Sequence, residues 1–169
     1  GILHLLCTRA AGAGRIFMTD VVPFRLDMAR RLGASAVMDA REDVPSKVRA
    51  ANDGRNADLV IICTGAPQAF VQAFDSVDRG GTVLCFATTL PDVEVVYPAN
   101  SFWRNGVTVL PSYANSPYDA QVAISLLENR AVEVTPMVTH RLGLAQTGEG
   151  FGLMASSGES MKVIVEPQR

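Results

Sequence analysis

The alternation of short apolar runs with amphipathic segments predicts an α/β fold built on a doubly wound parallel sheet. Residues 59–63 and 82–86 each contain four or more consecutive apolar residues without polar alternation, which is typical of strands buried on both faces of a parallel sheet. Between them, residues 67–77 carry Phe70, Val71 and Phe74 at helical spacing. A helix in that position is the expected right-handed crossover between two parallel strands.

The first third of the chain shows the same alternation. Gly12 and Gly14 follow an apolar segment and suit the end of a helix, because glycine readily adopts the left-handed conformation found there. Pro23 suits a first helical turn, and Gly33 stops the helix that follows it. The predicted elements are a helix over residues 2–13, a strand over 15–20, a helix over 24–32, a strand over 36–39 and an exposed helix over 43–52.

The middle of the chain continues with a strand over 57–63 and a helix over 67–77, after which Gly80 and Gly81 are expected to turn the chain into a strand over 82–86. A long loop over 88–102 and a last strand over 106–110 are predicted next. Beyond Pro111 the pattern changes, and the remaining segments are not expected to extend the βαβ order. They are a helix over 116–129, a segment over 133–142, a helix over 145–155 and a strand over 162–166. The sequence therefore predicts two domains, residues 1–112 and 113–169.

The composition excludes several classes of function. The 169 residues carry 15 Lys or Arg against 17 Asp or Glu, a formal net charge of −2, so we expect no binding surface for nucleic acid and none for a membrane. The apolar stretch over residues 2–7 is too short to cross a bilayer. The three cysteines lie far apart in apolar surroundings, which predicts reduced, buried thiols in a cytoplasmic protein and no metal site.

Ligands of open α/β sheets bind beyond the carboxyl ends of the strands, where the strand order reverses. The positions that this rule selects are Asp20, Thr64, Gly65, Phe86, Ala87, Ser112 and Tyr113. An acid that ends the second strand of a dinucleotide-binding domain accepts hydrogen bonds from the adenosine ribose and repels a 2′-phosphate. Asp20 therefore predicts binding of NAD in preference to NADP. The alternative is a solvated carboxylate at the end of a strand.

Two glycines are candidates for close approach to a cofactor. Gly65 presents no side chain where a cofactor would meet the backbone, although it also suits a plain turn. Gly1 stands directly before the first helix and about 20 residues before Asp20, where the third glycine of a Gly-x-Gly-x-x-Gly turn is expected. We therefore expect a Rossmann-type sheet whose first strand and first two glycines are not in this sequence.

Six segments, in order along nearly the whole chain, carry a family resemblance: residues 11–20, 25–34, 58–65, 79–83, 137–142 and 162–167. Their residues and spacing resemble the cofactor domain of the zinc-dependent medium-chain alcohol and polyol dehydrogenases, in particular the sorbitol and threonine dehydrogenase branch. The resemblance implies that Asp20 binds the adenosine ribose and that Arg25 lies along the adenosine. It implies that Thr64 and Gly65 line the cofactor cleft. The residues implied near the nicotinamide are Phe86, Ala87, Ser112 and Tyr113.

The resemblance also implies a reaction. Zinc acts as a Lewis acid in this family, and hydride passes from a small alcohol or polyol to NAD. The family's zinc ligands lie in a catalytic domain that has no counterpart here, so neither a catalytic residue nor a metal ligand is assigned to this chain. Residues 1–112 would then be the NAD-binding domain, and 113–169 a return segment of the catalytic domain.

A homo-oligomer is implied as well, because the strand over 106–110 commonly pairs with its copy across a dimer interface in this family. That role suits an exposed edge strand. Two other functions stay open. The chain could be a catalytically inert nucleotide-binding fragment, or part of a zinc-free quinone or enone reductase of the same superfamily. As part of a full-length NAD-dependent alcohol dehydrogenase the chain would serve an active enzyme, whereas the 169-residue chain alone is expected to be inactive.

Overall fold

The structure, a computed structural model, describes residues 1–156 and 158–168. Helices and strands alternate along most of the chain. In order they are α1 Ile2–Ala10, β1 Phe17–Asp20, α2 Pro23–Arg31, β2 Ala36–Asp39, α3 Val44–Ala51, β3 Ala57–Ile62, α4 Pro67–Ser76, β4 Val77–Cys85, α5 Ala99–Asn105, β5 Thr108–Pro111, α6 Pro117–Glu128, β6 Val138–Gly143, α7 Thr147–Ala155 and β7 Lys162–Glu166. They form two compact units, one of Gly1–Asp39 with Ser116–Arg169 and one of Ala40–Asn115.

Every strand pair in the described residues is parallel. The strands form three sheets. The first consists of β1 and β2, the second of β3, β4 and β5 in that order, and the third of β6 and β7. The register places Asp20 beside Asp39 in the first sheet. In the second sheet it places Ile62 beside Cys85 and Cys85 beside Pro111. The predicted α/β class with parallel strands is confirmed.

The inner face of α1 contributes to the hydrophobic core of the first unit. Leu5 and Leu6 are almost fully buried, and Leu6 packs against Val132 and Met137. Cys7, one position further round the helix, is exposed. The prediction that all three cysteines are buried is therefore wrong at Cys7, because successive helix residues point about 100° apart. Cys63 and Cys85 are only partly buried.

The second unit has its own core around the fully buried Val83 of β4. The other buried members of this core are Ile62, Phe70, Ala73, Val77 and Phe102. The rings of Phe74, Tyr97 and Phe102 meet edge to face at centroid distances of 5.2 to 6.4 Å. These aromatic contacts anchor α5 and the end of the loop before it on α4.

Two predicted elements differ from the structure in this second unit. Residues 88–102 are not all loop, since α5 begins at Ala99. Burial of Phe102 stabilises this short helix, although its sequence has no apolar repeat. Gly80 and Gly81 lie inside β4 and do not precede it. Gly80 has a φ of +70°, and the pairing of β3 with β4 shifts register between Ala57 and Leu59. The two glycines therefore form an irregularity within the strand.

The tail also departs from expectation. β6 and β7 pair in parallel, and α7 connects them, so this segment is a further βαβ unit. The expectation that the tail leaves the βαβ order is wrong. The sequence obscured the unit because β6 carries the polar run Thr139, His140 and Arg141, and its inward residues are only Leu142 and Gly143.

Candidate cofactor-binding site

Asp20, the last residue of β1, has its carboxylate fixed from one side. Oδ1 accepts a hydrogen bond of 3.0 Å from the backbone N–H of Val22. This short turn leads into α2, where Pro23 occupies the first helical turn and needs no N–H partner. The side chain of Asp20 is 29% exposed. An ionised carboxylate accepts about four hydrogen bonds, so this group can still accept bonds from a ligand's hydroxyls.

Arg25 lies beside that carboxylate. Its Nη1 is 3.7 Å from Oδ2 of Asp20, which is an ion-pair distance but longer than a hydrogen bond. Arg25 lies in the first turn of α2, and its backbone N–H donates to the carbonyl of Val22. The helix therefore positions the guanidinium next to the end of β1. The predicted pair of Asp20 and Arg25 is brought together in the structure.

Asp39 is a residue at this edge that the sequence reasoning missed. It ends β2 as Asp20 ends β1, and the two are paired in the parallel register. Two carboxylates at one sheet edge give that edge a negative potential, which disfavours an additional phosphate group. The signal was in the sequence, because residues 36–39 were already predicted to be a strand that ends in an acid.

Gly1 precedes α1, as predicted, and its carbonyl accepts the N–H of Leu5 at 3.2 Å. A Cβ at this position would meet Cε of Met18, in β1, at 3.6 Å. That distance is an ordinary van der Waals contact. Packing against β1 therefore does not require glycine here, and close approach of a cofactor to Gly1 stays a prediction.

Gly65 follows β3, and its lack of a side chain is required by the neighbouring loop. A Cβ at Gly65 would lie 2.5 Å from the carbonyl oxygen of Thr88 and 3.5 Å from its carbonyl carbon. The loop after β4 therefore packs directly on the loop after β3. Thr64 Oγ1 accepts the N–H of Ala66 at 3.4 Å, a weak bond that leaves the hydroxyl able to bond elsewhere.

Phe86 and Ala87 follow β4 at the same edge. Their two backbone N–H groups both donate to the carbonyl of Ile62, at 3.2 and 2.9 Å. This shared acceptor ties the end of β4 to the end of β3. Phe86 as a whole residue is 53% exposed. The four candidates Thr64, Gly65, Phe86 and Ala87 are thus neighbours at one carboxyl edge.

Ser112 joins this edge from β5, since its N–H donates to the carbonyl of Cys85 at 3.0 Å. Burial raises the pKa of the Cys85 thiol, so this cysteine is held in the neutral thiol form below the edge. Tyr113 is 98% exposed. The structure therefore places the Tyr113 backbone next to Ser112 but does not pack the Tyr113 ring against the other candidates.

The described residues do not fit a zinc centre. Within residues 1–156 and 158–168, no group of three or more His, Cys, Asp or Glu side chains lies together as a metal site requires. No helix in the same residues has the length and apolar character needed to cross a membrane.

Solved structures of other proteins share this fold. Over 98% of its length the chain matches benzyl alcohol dehydrogenase from Acinetobacter calcoaceticus, with a TM-score of 0.89 and 20% identity, and it covers 46% of that chain. It matches an alcohol dehydrogenase from Thermus sp. ATN1 over 98% of its length and 48% of that chain, with a TM-score of 0.87 and 24% identity. The α/β fold is therefore that of the alcohol dehydrogenases.

The chain belongs to the zinc-binding dehydrogenase family, whose model matches residues 1–129. Among its relatives, the L-threonine 3-dehydrogenase of Edwardsiella ictaluri is 28% identical over 166 residues, which are 98% of this chain and 48% of that protein. The chain thus spans about half the length of the relatives it matches. The resemblance to the zinc-dependent alcohol and polyol dehydrogenases is confirmed.

Proposed function

We propose that this chain is the NAD-binding part of a zinc-dependent alcohol or polyol dehydrogenase, with the NAD-binding domain in residues 1–112. The observation that carries the proposal is the carboxylate of Asp20 at the end of β1. Its Oδ1 is oriented by the N–H of Val22, and its Oδ2 lies beyond hydrogen-bond distance from Arg25. A carboxylate held this way fits the two hydroxyls of an adenosine ribose.

The carboxyl end of β1 would bind the adenosine half of the cofactor. Asp20 accepts hydrogen bonds from the ribose, and the Arg25 guanidinium lies along the adenosine. Asp39, at the same edge, adds a second negative charge. A 2′-phosphate would meet both carboxylates, so we expect NAD to be preferred to NADP.

The carboxyl ends of β3, β4 and β5 would bind the nicotinamide half. NAD, when bound, supplies a ring carbon that accepts or donates hydride. Phe86 and Ser112 lie at the carboxyl edge of β3, β4 and β5, where their backbone bonds to Ile62 and Cys85 hold the loops in place. Ala87 and Tyr113 follow them. Because Gly65 has no side chain, the loop of Thr88 can pack directly against this edge.

The other parts of the proposal rest on the family. Residues 113–169 would belong to the catalytic domain, and the zinc ligands would lie outside the described residues of this chain. The substrate would be a small alcohol or polyol. We also propose a cytoplasmic location and a homo-oligomer formed through the strand predicted over 106–110. In the structure that strand is shifted, since β5 spans Thr108–Pro111.

The test is a comparison of NADH and NADPH affinities in the purified full-length protein. Binding is followed by nicotinamide fluorescence for the wild type, Asp20→Ser and Asp27→Ser. Asp27 is the matched control because it pairs with Arg30 on the exposed face of α2. A hydrogen bond to a charged group contributes about 1.5–3 kcal/mol, so Asp20→Ser should weaken NADH binding about 10- to 150-fold.

The wild type and Asp27→Ser should both prefer NADH. A wild type that binds NADPH more tightly than NADH would contradict the role given to Asp20. Equal NADH affinity in the wild type and Asp20→Ser would contradict it too.

A further inference from the structure

The carboxyl ends of β1 and β2 lie side by side in one sheet. β1 ends at Asp20 and β2 ends at Asp39, and the parallel register pairs these two residues directly. Neighbouring strands lie about 4.8 Å apart, and directly paired residues direct their side chains to the same face of the sheet. The two carboxylates therefore leave one edge of the sheet together. A ligand that reaches Asp20 at this edge also comes close to Asp39.

The packing around β2 holds Asp39 in place. Met38, the residue before it, is 5% exposed, and α2 packs against both β1 and β2. Asp39 itself is partly buried. Its carboxylate is thus carried by a packed strand, so a ligand can contact it without first ordering a loop, and the entropic cost of that contact is small.

The strand order gives the direction in which a dinucleotide would cross this edge. In the order 3-2-1-4-5-6 of this fold, β1 and β2 correspond to strands 2 and 3. The pyrophosphate binds at the N-terminus of the helix after strand 1, and the adenosine ribose binds at the end of strand 2. Gly1 precedes that helix, α1, and a Cβ there would contact Met18 of β1. The adenine ring would then lie beyond Asp20, on the side of Asp39.

The chemistry of adenine suits a carboxylate in that position. Adenine carries a 6-amino group, which donates hydrogen bonds, whereas guanine has a carbonyl oxygen at the same place. An ionised carboxylate only accepts hydrogen bonds, and its two oxygens offer about four acceptor positions. Asp39 can therefore accept a bond from the amino group in addition to one from the protein. A carbonyl oxygen in the same place would leave two acceptors facing each other without a proton.

We propose that the carboxylate of Asp39 accepts a hydrogen bond from the 6-amino group of adenine and makes the site specific for an adenine base. The inference rests on the NAD binding proposed above and adds the residue that recognises the base. Asp20 binds the ribose, and Asp39 binds the ring attached to it. An acid that supplied only negative charge would not distinguish two dinucleotides of equal charge, so the two roles of Asp39 can be separated.

The experiment compares NADH with reduced nicotinamide hypoxanthine dinucleotide, whose base has a carbonyl oxygen in place of the 6-amino group. The two dinucleotides have the same charge at pH 7 and the same nicotinamide, so titration of the full-length protein by nicotinamide fluorescence gives both Kd values. Loss of a hydrogen bond to a charged group predicts that the wild type binds the hypoxanthine dinucleotide about 10- to 150-fold more weakly than NADH.

Asp39→Asn tests whether Asp39 is the group responsible. An asparagine side chain accepts through its oxygen and donates through its nitrogen, so it can bond to either base, and the two Kd values should agree within about 3-fold. Asp27→Asn is the matched control, since Asp27 pairs with Arg30 on the exposed face of α2, and it should keep the wild-type ratio. Asp20→Ser should weaken both dinucleotides and leave their ratio unchanged. Circular dichroism checks the folding of each variant.

The outcomes separate this inference from the cofactor proposal. A wild type that binds NADH and the hypoxanthine dinucleotide equally would overturn the inference alone, and this comparison needs no variant. An Asp39→Asn variant that keeps the wild-type ratio would overturn it too, because another group would then recognise the amino group. A wild type that binds neither dinucleotide would overturn the NAD-binding proposal as well.

Discussion

Gly65→Ala should destabilise the protein because the new Cβ would lie 2.5 Å from the carbonyl oxygen of Thr88. Carbon and oxygen atoms in close contact are normally about 3.3 Å apart, so one of the two loops must move by about 0.8 Å. Neither atom is the end of a flexible side chain, and the strain cannot be relieved by a rotamer change. Overpacking of this kind costs about 1–3 kcal/mol, which for a protein of this size lowers Tm by about 3–10 °C.

The assay is thermal unfolding followed by circular dichroism, with Gly14→Ala as the matched control. A Cβ at Gly14 has no heavy atom within 4 Å, and its φ is not in the left-handed range. The same chemical change should therefore leave Tm almost unaltered there. If Gly65→Ala and Gly14→Ala melt within 1 °C of each other, the close approach of the two loops is wrong.

Two further predictions concern the helix cap of α6 and the thiols. Ser116 Oγ accepts the N–H of Asp119, and the Ser116 N–H in turn donates to the Asp119 carboxylate, which lowers the pKa of that carboxyl. Ser116→Ala should lower Tm by about 2–4 °C. Since the folded-state pKa of Asp119 is lowered, the Tm difference between the wild type and Asp119→Asn should exist at pH 7 and be lost as the pH falls from about 4 through that lowered pKa. Iodoacetamide at pH 7.5 should label the exposed Cys7 first and Cys85 slowly, because burial raises the pKa of the Cys85 thiol.

Peptide mass spectrometry measures the order in which the cysteines are labelled. Thermal unfolding at several pH values measures the Tm differences of the Ser116 and Asp119 variants. Faster modification of Cys85 than of Cys7 would contradict the burial of β4. A Tm difference at Asp119 that grows as the pH falls would reverse the sign of the cap's pH dependence.

The strands that depend on local pattern were predictable from sequence. β2 and β7 begin and end at the predicted residues, because each is a short apolar run bounded by polar residues or turns. The helix predicted over 116–129 differs from α6 only by its two cap residues. Asp20 could be chosen from sequence alone because it is the acid at the end of an apolar strand.

The features that depend on distant contacts were not predictable. α5 is stabilised by the packing of Phe102 in the core. Its sequence has no apolar repeat at helical spacing that would predict a helix. Glycine is required at position 65 because the loop of Thr88 packs there, a contact that spacing in the sequence does not reveal. The parallel pairing of β6 with β7 likewise joins residues more than 20 positions apart. In each case tertiary packing decided the structure, and propensity did not.

Hydrogen exchange of the full-length protein with and without NADH tests the central claim most directly, because it reports where the cofactor binds without requiring turnover. The account predicts slower exchange of backbone amides in residues 20–25, 64–65, 86–87 and 112–113 when NADH is added, and a smaller effect with NADPH at the same concentration. Unchanged exchange at all four segments, or protection confined to α6 and α7, would contradict the assignment of the cofactor site to these strand ends.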